Sequence, residues 1–231
     1  MGWKTFFHKT FEQEFSENKN WGDFAPLVLW VGDKTYYCVG FHDAASDWKY
    51  SPKIGHPQGV KTRIRIKYFV WISADSYGKT SIGIVYYKDG ETAKDPQGYD
   101  IHGVAYEYDT PASENISEEK ELVFEYDGAN KITIYHNGEK FGEVTLEIPL
   151  TSFAIAIKVD EAYGNQDVGI LIYEVSGEYY DQWEDIVNMI YGVMQWMMPL
   201  MIVLMIIPLI VSALRPSKKK EEERKIIVVP G

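Results

Sequence analysis

From Ile186 to Leu214 the chain runs 29 residues without a charged side chain, and no other feature narrows its possible folds as much. As a helix, that stretch measures about 43 Å against a hydrocarbon layer about 30 Å thick, so it is long enough to cross a bilayer. The flanks have the composition of membrane boundaries: Tyr179, Tyr180, Trp183 and Tyr191 on the N-terminal side, and Arg215, Lys218, Lys219 and Lys220 directly after it. Pro199 and Pro208 lie inside the stretch. Each removes a backbone donor and invites a kink that a neighbouring helix can support, which points to a homo-oligomer through this segment. Six of the seven Met lie between Met189 and Met205, and their flexible thioethers suit lipid-facing packing.

Charge then sets orientation. The last 17 residues hold 6 of the 23 basic and 3 of the 34 acidic residues, leaving 17 basic against 31 acidic before them, a balance of −14. So acidic a body argues against nucleic acid as its partner. Basic residues after the span, with Asp181, Glu184 and Asp185 before it, place the tail inside and the large N-terminal domain outside. The N-terminus has no apolar run of signal-peptide length, which leaves open a tail-anchored protein with a cytoplasmic domain. The sequon Asn115-Ile116-Ser117 offers Asn115 as a glycosylation site on an outside domain.

Between Phe11 and Tyr180 the apolar period is two. In Arg63–Ile72, the residues Ile64, Ile66, Tyr68, Val70 and Ile72 share one face, and Arg63, Arg65, Lys67, Phe69 and Trp71 share the other. Similar runs at Leu27–Val31, Thr35–Phe41, Ser81–Tyr87, Glu121–Tyr126, Lys131–Tyr135, Gly142–Ile148, Ser152–Val159 and Val168–Val175 are separated by turn residues. This predicts an all-β sandwich or barrel. Asn137-Gly138 supplies the two positive φ values of a type I′ turn, so Ile132–His136 and Glu139–Leu146 pair as a hairpin. The single cysteine, Cys38, makes no internal disulfide and leaves the redox compartment unread.

The opening Phe11-Glu12-Gln13-Glu14-Phe15-Ser16-Glu17-Asn18-Lys19-Asn20-Trp21 resembles the start of concanavalin A-like lectin/glucanase domains. Leu122–Gly128 followed by Lys131–Glu139 is similar to their Y-D-G and Y-x-N-G hairpin, and Val168–Val175 to the strand that closes laminin-G-type sandwiches beside the first. The resemblance implies an antiparallel two-sheet jelly-roll sandwich whose concave face often binds sugars. The expected organisation is this sandwich over residues 1–178, an acidic aromatic juxtamembrane segment at 179–185, a single transmembrane helix at 186–214 and a charged tail at 215–231.

The resemblance to glucanases would require an E-x-D-x-x-E strand to hold nucleophile and acid on one face. Glu107-Tyr108-Asp109 is followed by Thr110-Pro111-Ala112 and lacks the third carboxylate. No nucleophile elbow or His-rich metal motif is present either. The expectation is a non-catalytic, membrane-anchored sandwich, displayed on a cell envelope or virion surface, that binds a glycan or protein ligand without a cofactor. Two alternatives remain: a structural subunit of a viral or surface shell, and a glycoside hydrolase whose carboxylates are not contiguous. Sugar binding needs aromatic faces with polar neighbours, which nominates Trp71, Phe69 and Arg65, and separately Trp48 and Tyr50. The acidic loop with Asp160, Asn165 and Asp167 carries hard oxygen donors for calcium but lacks the full twelve-residue loop pattern.

Overall fold

The computed structural model describes residues 2–43, 47–72, 77–86, 103–110 and 116–163, and then 168–214. In chain order the elements are β1 (Trp3–Thr10), α1 (Glu12–Glu17), β2 (Ala25–Val31), β3 (Lys34–Asp43), β4 (Lys49–Tyr50), β5 (Ile54–Gly55), β6 (Thr62–Ile72) and β7 (Tyr77–Tyr86). There follow β8 (Gly103–Thr110), β9 (Lys120–Tyr126), β10 (Lys131–His136), β11 (Glu139–Thr145), β12 (Ser152–Tyr163), β13 (Val168–Tyr180) and α2 (Gln182–Leu214). The expected strands are all present, and β1, β4, β5, β8 and α1 are additions. Alternation in β1 is obscured by a register shift between Thr5 and Phe7, which breaks the period of two that marks a strand.

Among the described residues every strand pairing is antiparallel and falls in one of two sheets. The larger has eight strands in the order β11-β10-β9-β6-β13-β3-β2, with β1 also on β13. One side of β13 is shared: β3 pairs with Val168–Ile172 and β1 with Glu174–Tyr180. The smaller has five strands in the order β4-β12-β7-β8, with β5 also on β12. The Asn137-Gly138 turn forms as expected, with φ of 48° and 83° and His136 opposite Glu139. The turn Asp127-Gly128 is fixed twice over. Asp127 Oδ1 accepts the backbone N–H of Ala129, Asn130 and Lys131. Gly128, at φ 92°, lies where a Cβ would meet the Val60 carbonyl carbon at 2.9 Å.

The core lies between the sheets. Ile64, Ile66, Tyr68 and Val70 from β6, Phe124 from β9 and Ile170 and Ile172 from β13 face Ile82 and Ile84 of β7 and Phe153, Ile155 and Ile157 of β12. Alternation places these residues together: β strands send every second side chain inward, and the inward positions here are almost all β-branched or aromatic. Removing one such ring, Phe124 for example, leaves a cavity that costs about 3–5 kcal/mol.

Residues Gly2–Asp181 form one compact unit, and helix α2, Gln182–Leu214, belongs to a second. Strand β13 continues to Tyr180, so Tyr179 and Tyr180 of the juxtamembrane stretch belong to the sheet. Helix α2 contains both prolines, and the span Ile186–Leu214 within it has no part buried inside the protein. A helix apolar on all sides and covered by nothing has the properties of one that could anchor the chain in a membrane.

Candidate functional site

The outward face of the large sheet divides into a charged half and an aromatic half. In the charged half, Arg63, Arg65 and Lys67 of β6 alternate with the core residues and stand beside Glu125, Val123 and Glu121 of β9. Arg63 donates through Nε and Nη2 to Glu125 Oε1 at 2.9 and 2.5 Å. Lys67 Nζ donates to Glu174 Oε2 at 3.0 Å. On β10 and β11, Lys131 and Lys140 donate to Glu143 and hold its carboxyl down at about 2. Such solvent-facing pairs contribute little to stability, and their effect here is to fix where each head group stands.

Within this half a cleft of about 270 Å³ is lined by Arg63, Arg65, Val123, Glu125, Tyr135 and Gly138. Register explains it. Arg65, Val123 and Tyr135 lie directly across from one another on β6, β9 and β10, and the short Val123 between two long side chains leaves a hollow. Gly138, with open space where a Cβ would stand, leaves its rim uncovered. Arg65 Nε sits 3.4 Å from Glu121 Oε2, yet among the described residues it is a buried donor without a hydrogen-bond partner. The cleft therefore combines guanidinium donors, a carboxylate acceptor and an aromatic ring, the set that a polyol with apolar C–H faces requires.

The aromatic half is built on a floor of Cys38, Phe69 and Leu171. Burial pushes the Cys38 thiol up to about 12, so it is unreactive. Phe69 is 2% exposed and packs against Tyr36 and Tyr173 at ring separations of 4.9 and 5.4 Å. It supports the face and offers no ring surface to a ligand. Burial raises the Tyr173 hydroxyl, and its hydrogen bond to Glu119 raises it further. Trp71 remains half-buried and meets His42 edge-on at 5.2 Å. They meet across Gly169, which pairs with both residues and where a Cβ would lie 2.5 Å from His42 Cβ.

The structure does not bring all the sequence candidates together. Trp71, Phe69 and Arg65 share the outward face of the large sheet, whereas Trp48 and Tyr50 pack with Val85, Ala154 and Ala156 on the far face of the small sheet. Trp48 is 5% exposed, and its indole N–H has no partner among the described residues. Of the calcium candidates, Asp160 occupies the register shift of β12 between Val159 and Glu161, while Asn165 and Asp167 lie outside the described residues, as does Asn115. Among the described residues no group of three His, Cys, Asp or Glu is placed to hold a metal. Ser117, the third residue of the sequon, is buried, and its hydroxyl accepts the Val70 N–H at 2.9 Å. Backbone pairing sets Glu107 opposite Ser81 and Asp109 opposite Lys79.

Three residues of the cleft, Arg63, Glu125 and Tyr135, were not nominated from sequence. Strand periodicity puts Arg63 on the face of Arg65, but which strand lies beside β6 is a long-range fact. Only the pairing of β6 with β9 and of β9 with β10 brings Tyr135 within reach.

Neither a protein-family model nor a curated protein matches the chain. Solved structures are similar to it at low identity. The Emp47p carbohydrate recognition domain is 12% identical with a TM-score of 0.43, over 70% of this chain and 90% of that one. A protein of unknown function with galectin-like fold from Bacillus subtilis is 8% identical with a TM-score of 0.45, over 78% and 100%. A glycoside hydrolase family 16 endo-glucanase from Bacteroides ovatus is 11% identical with a TM-score of 0.41, over 73% and 92%. The chain itself is a two-sheet antiparallel β-sandwich followed by one apolar helix long enough to cross a membrane.

Proposed function

We propose that this chain is a membrane-anchored, non-catalytic β-sandwich that binds a glycan in the cleft between β6, β9 and β10, with its domain outside and its basic tail inside. The observation that carries the reading is the cleft's lining: Arg63, Arg65, Glu125 and Tyr135 around a Val123 floor. Hydroxyl groups are both donors and acceptors, so a site for them needs both kinds of partner, and an aromatic ring takes the C–H face. A glycan array probed with residues 2–181, followed by calorimetry on the hits, tests it. Tyr135→Ala and Arg65→Ala are each expected to weaken binding about tenfold, or about 1.4 kcal/mol. Absence of binding to any glycan removes the glycan form of the proposal.

A protein ligand is the second reading, and strand β2 supports it. This edge strand, Ala25–Val31, carries no charge, and its Trp30 is 69% exposed. The opposite edge, β11, carries Glu139, Lys140 and Glu143, as protected edges do. An apolar edge without charges is suited to accept a partner's strand. Trp30→Lys is expected to abolish capture of such a partner while leaving glycan binding intact.

A further inference from the structure

The structure brings Trp3, near the start of the chain, beside Tyr180, at the end of the sandwich. Trp3 pairs with Tyr180 in register, and their rings meet edge-on at 5.7 Å. Two cations cover the Trp3 ring, Lys61 Nζ at 5.8 Å and Arg63 Cζ at 4.5 Å from its centroid. Tyr179, the neighbouring position on the other side of the sheet, pairs with Lys4, which is ion-paired with Asp181. Sheet hydrogen bonding persists to the last residue of the unit: Tyr180 N–H donates to Lys61 O at 2.8 Å and Asp181 N–H to Gly2 O at 3.3 Å.

Four residues lie between Asp181 and Ile186, where the uncharged span begins, which makes five Cα-to-Cα steps. Fully extended, they reach about 18 Å at most. Because α2 is helical from Gln182, the rise from there to Ile186 is about 6 Å, against a headgroup layer of about 5–7 Å per leaflet. The span is longer than the hydrocarbon is thick, and tilt takes up such a surplus without exposing apolar side chains to water. Both lengths keep the Trp3–Tyr180 end of the sheet tethered within reach of the headgroup layer.

We propose that this end of the large sheet, with Trp3, Tyr179 and Tyr180 flanked by Lys4 and Lys61, is an interfacial docking face that beds into the zwitterionic phospholipid headgroups of the bilayer holding α2. The proposal rests on α2 spanning that bilayer. Tryptophan and tyrosine favour this layer because their rings are apolar and their N–H and O–H groups are not. Attraction to anionic lipid is not the driving force, since Glu178 opposite Arg63 and Asp181 on Lys4 offset the cations nearby. Docking is therefore insensitive to salt.

Full-length protein in phosphatidylcholine vesicles, spin-labelled one site at a time at Thr5→Cys, Glu118→Cys or Met201→Cys in a Cys38→Ser background, tests this. Thr5 lies beside the face, and Glu118 adjoins Ser117, whose N–H bonds Val70 near the other end of β6. The label at residue 5 is expected to be at least about threefold less accessible to an aqueous nickel relaxant than the label at residue 118, in low and high salt alike. The paired substitution Trp3→Ala with Tyr180→Ala is expected to remove that protection. Equal accessibility at the two labels, with the residue 201 label in oxygen-rich lipid, overturns the docking face and leaves the anchor standing. A residue 201 label exposed to nickel overturns both. The comparison of labels needs no substitution within the aromatic face, so a misfolded double variant does not rescue the proposal.

Discussion

Acidification through the range between pH 6.5 and 4 is expected to destabilise the sandwich through one buried side chain, His56. It is 6% exposed and ringed edge-on by Phe6, Tyr126 and Phe153 at 5.7, 5.4 and 6.4 Å. Leu150 O, 3.1 Å from Nδ1, can only accept, so Nδ1 carries the proton, and Nε2, 2.7 Å from Thr62 Oγ1, accepts from that hydroxyl. Desolvation lowers the ring from 6.5 to about 4, against hydrogen bonds to the Leu150 and Pro57 backbone that act to raise it. Between those two values the unfolded chain binds a proton that the folded chain does not. Stability therefore falls as pH falls from 6.5 to 4, by about 3 kcal/mol in all, and changes no further through His56 below that. Urea unfolding of residues 2–181 at pH 7, 5.5 and 4, beside His56→Gln, isolates the effect, since His136, also lowered by burial, titrates in both proteins. The wild type is expected to lose about 3 kcal/mol relative to the variant between pH 7 and 4. A difference that stays constant within about 0.5 kcal/mol across that range refutes the assignment of His56 as a buried neutral imidazole.

Other substitutions probe single elements. Asn137→Ala is expected to cost about 1–2 kcal/mol in urea unfolding, because Ala lacks the short polar side chain that lets Asn adopt φ 48° and the Glu121 N–H loses the side-chain oxygen it donates to. Gly169→Ala is expected to cost about 1–3 kcal/mol by driving a methyl group into His42 and the Phe41 carbonyl. It should also separate the His42 and Trp71 rings, read as a changed Trp71 ring-proton shift by NMR. Phe69→Ala is expected to lose about 3–5 kcal/mol while leaving glycan affinity unchanged, because the ring is buried beneath Tyr36 and Tyr173. A large affinity loss at unchanged stability would contradict that placement.

Most of the sandwich was legible because alternation is a local signal. Ile64, Ile66, Tyr68 and Val70 are the inward residues of β6, and the Asn137-Gly138 turn pairs the strands that its positive φ values predict. Elements with a broken or mixed pattern were missed. In β1 the register shift at Phe6 interrupts the alternation, and in α1 six residues are too few to show a helical period. The same arithmetic read Phe69 and Trp71 as equivalent positions of one face. They differ in exposure because Tyr36 and Tyr173, distant in sequence, lean over the first. The cleft was half legible: Arg65 was nominated from its own strand, while Glu125 and Tyr135 depend on which strands pair with it. No local pattern encodes that order, since β6 pairs with β9 and β13 and with neither of its chain neighbours.

Anchoring by Ile186–Leu214 with the sandwich outside is the claim on which the function depends, and extraction combined with protease protection tests it most directly. Intact cells or particles are treated with protease and then washed with alkaline carbonate, with antibodies against residues 2–181 and against the tail at 215–231. The chain is expected to resist carbonate, the body to be digested from outside and the tail to survive in a membrane-protected fragment. Release by carbonate, or a protected body with a digested tail, would contradict that claim.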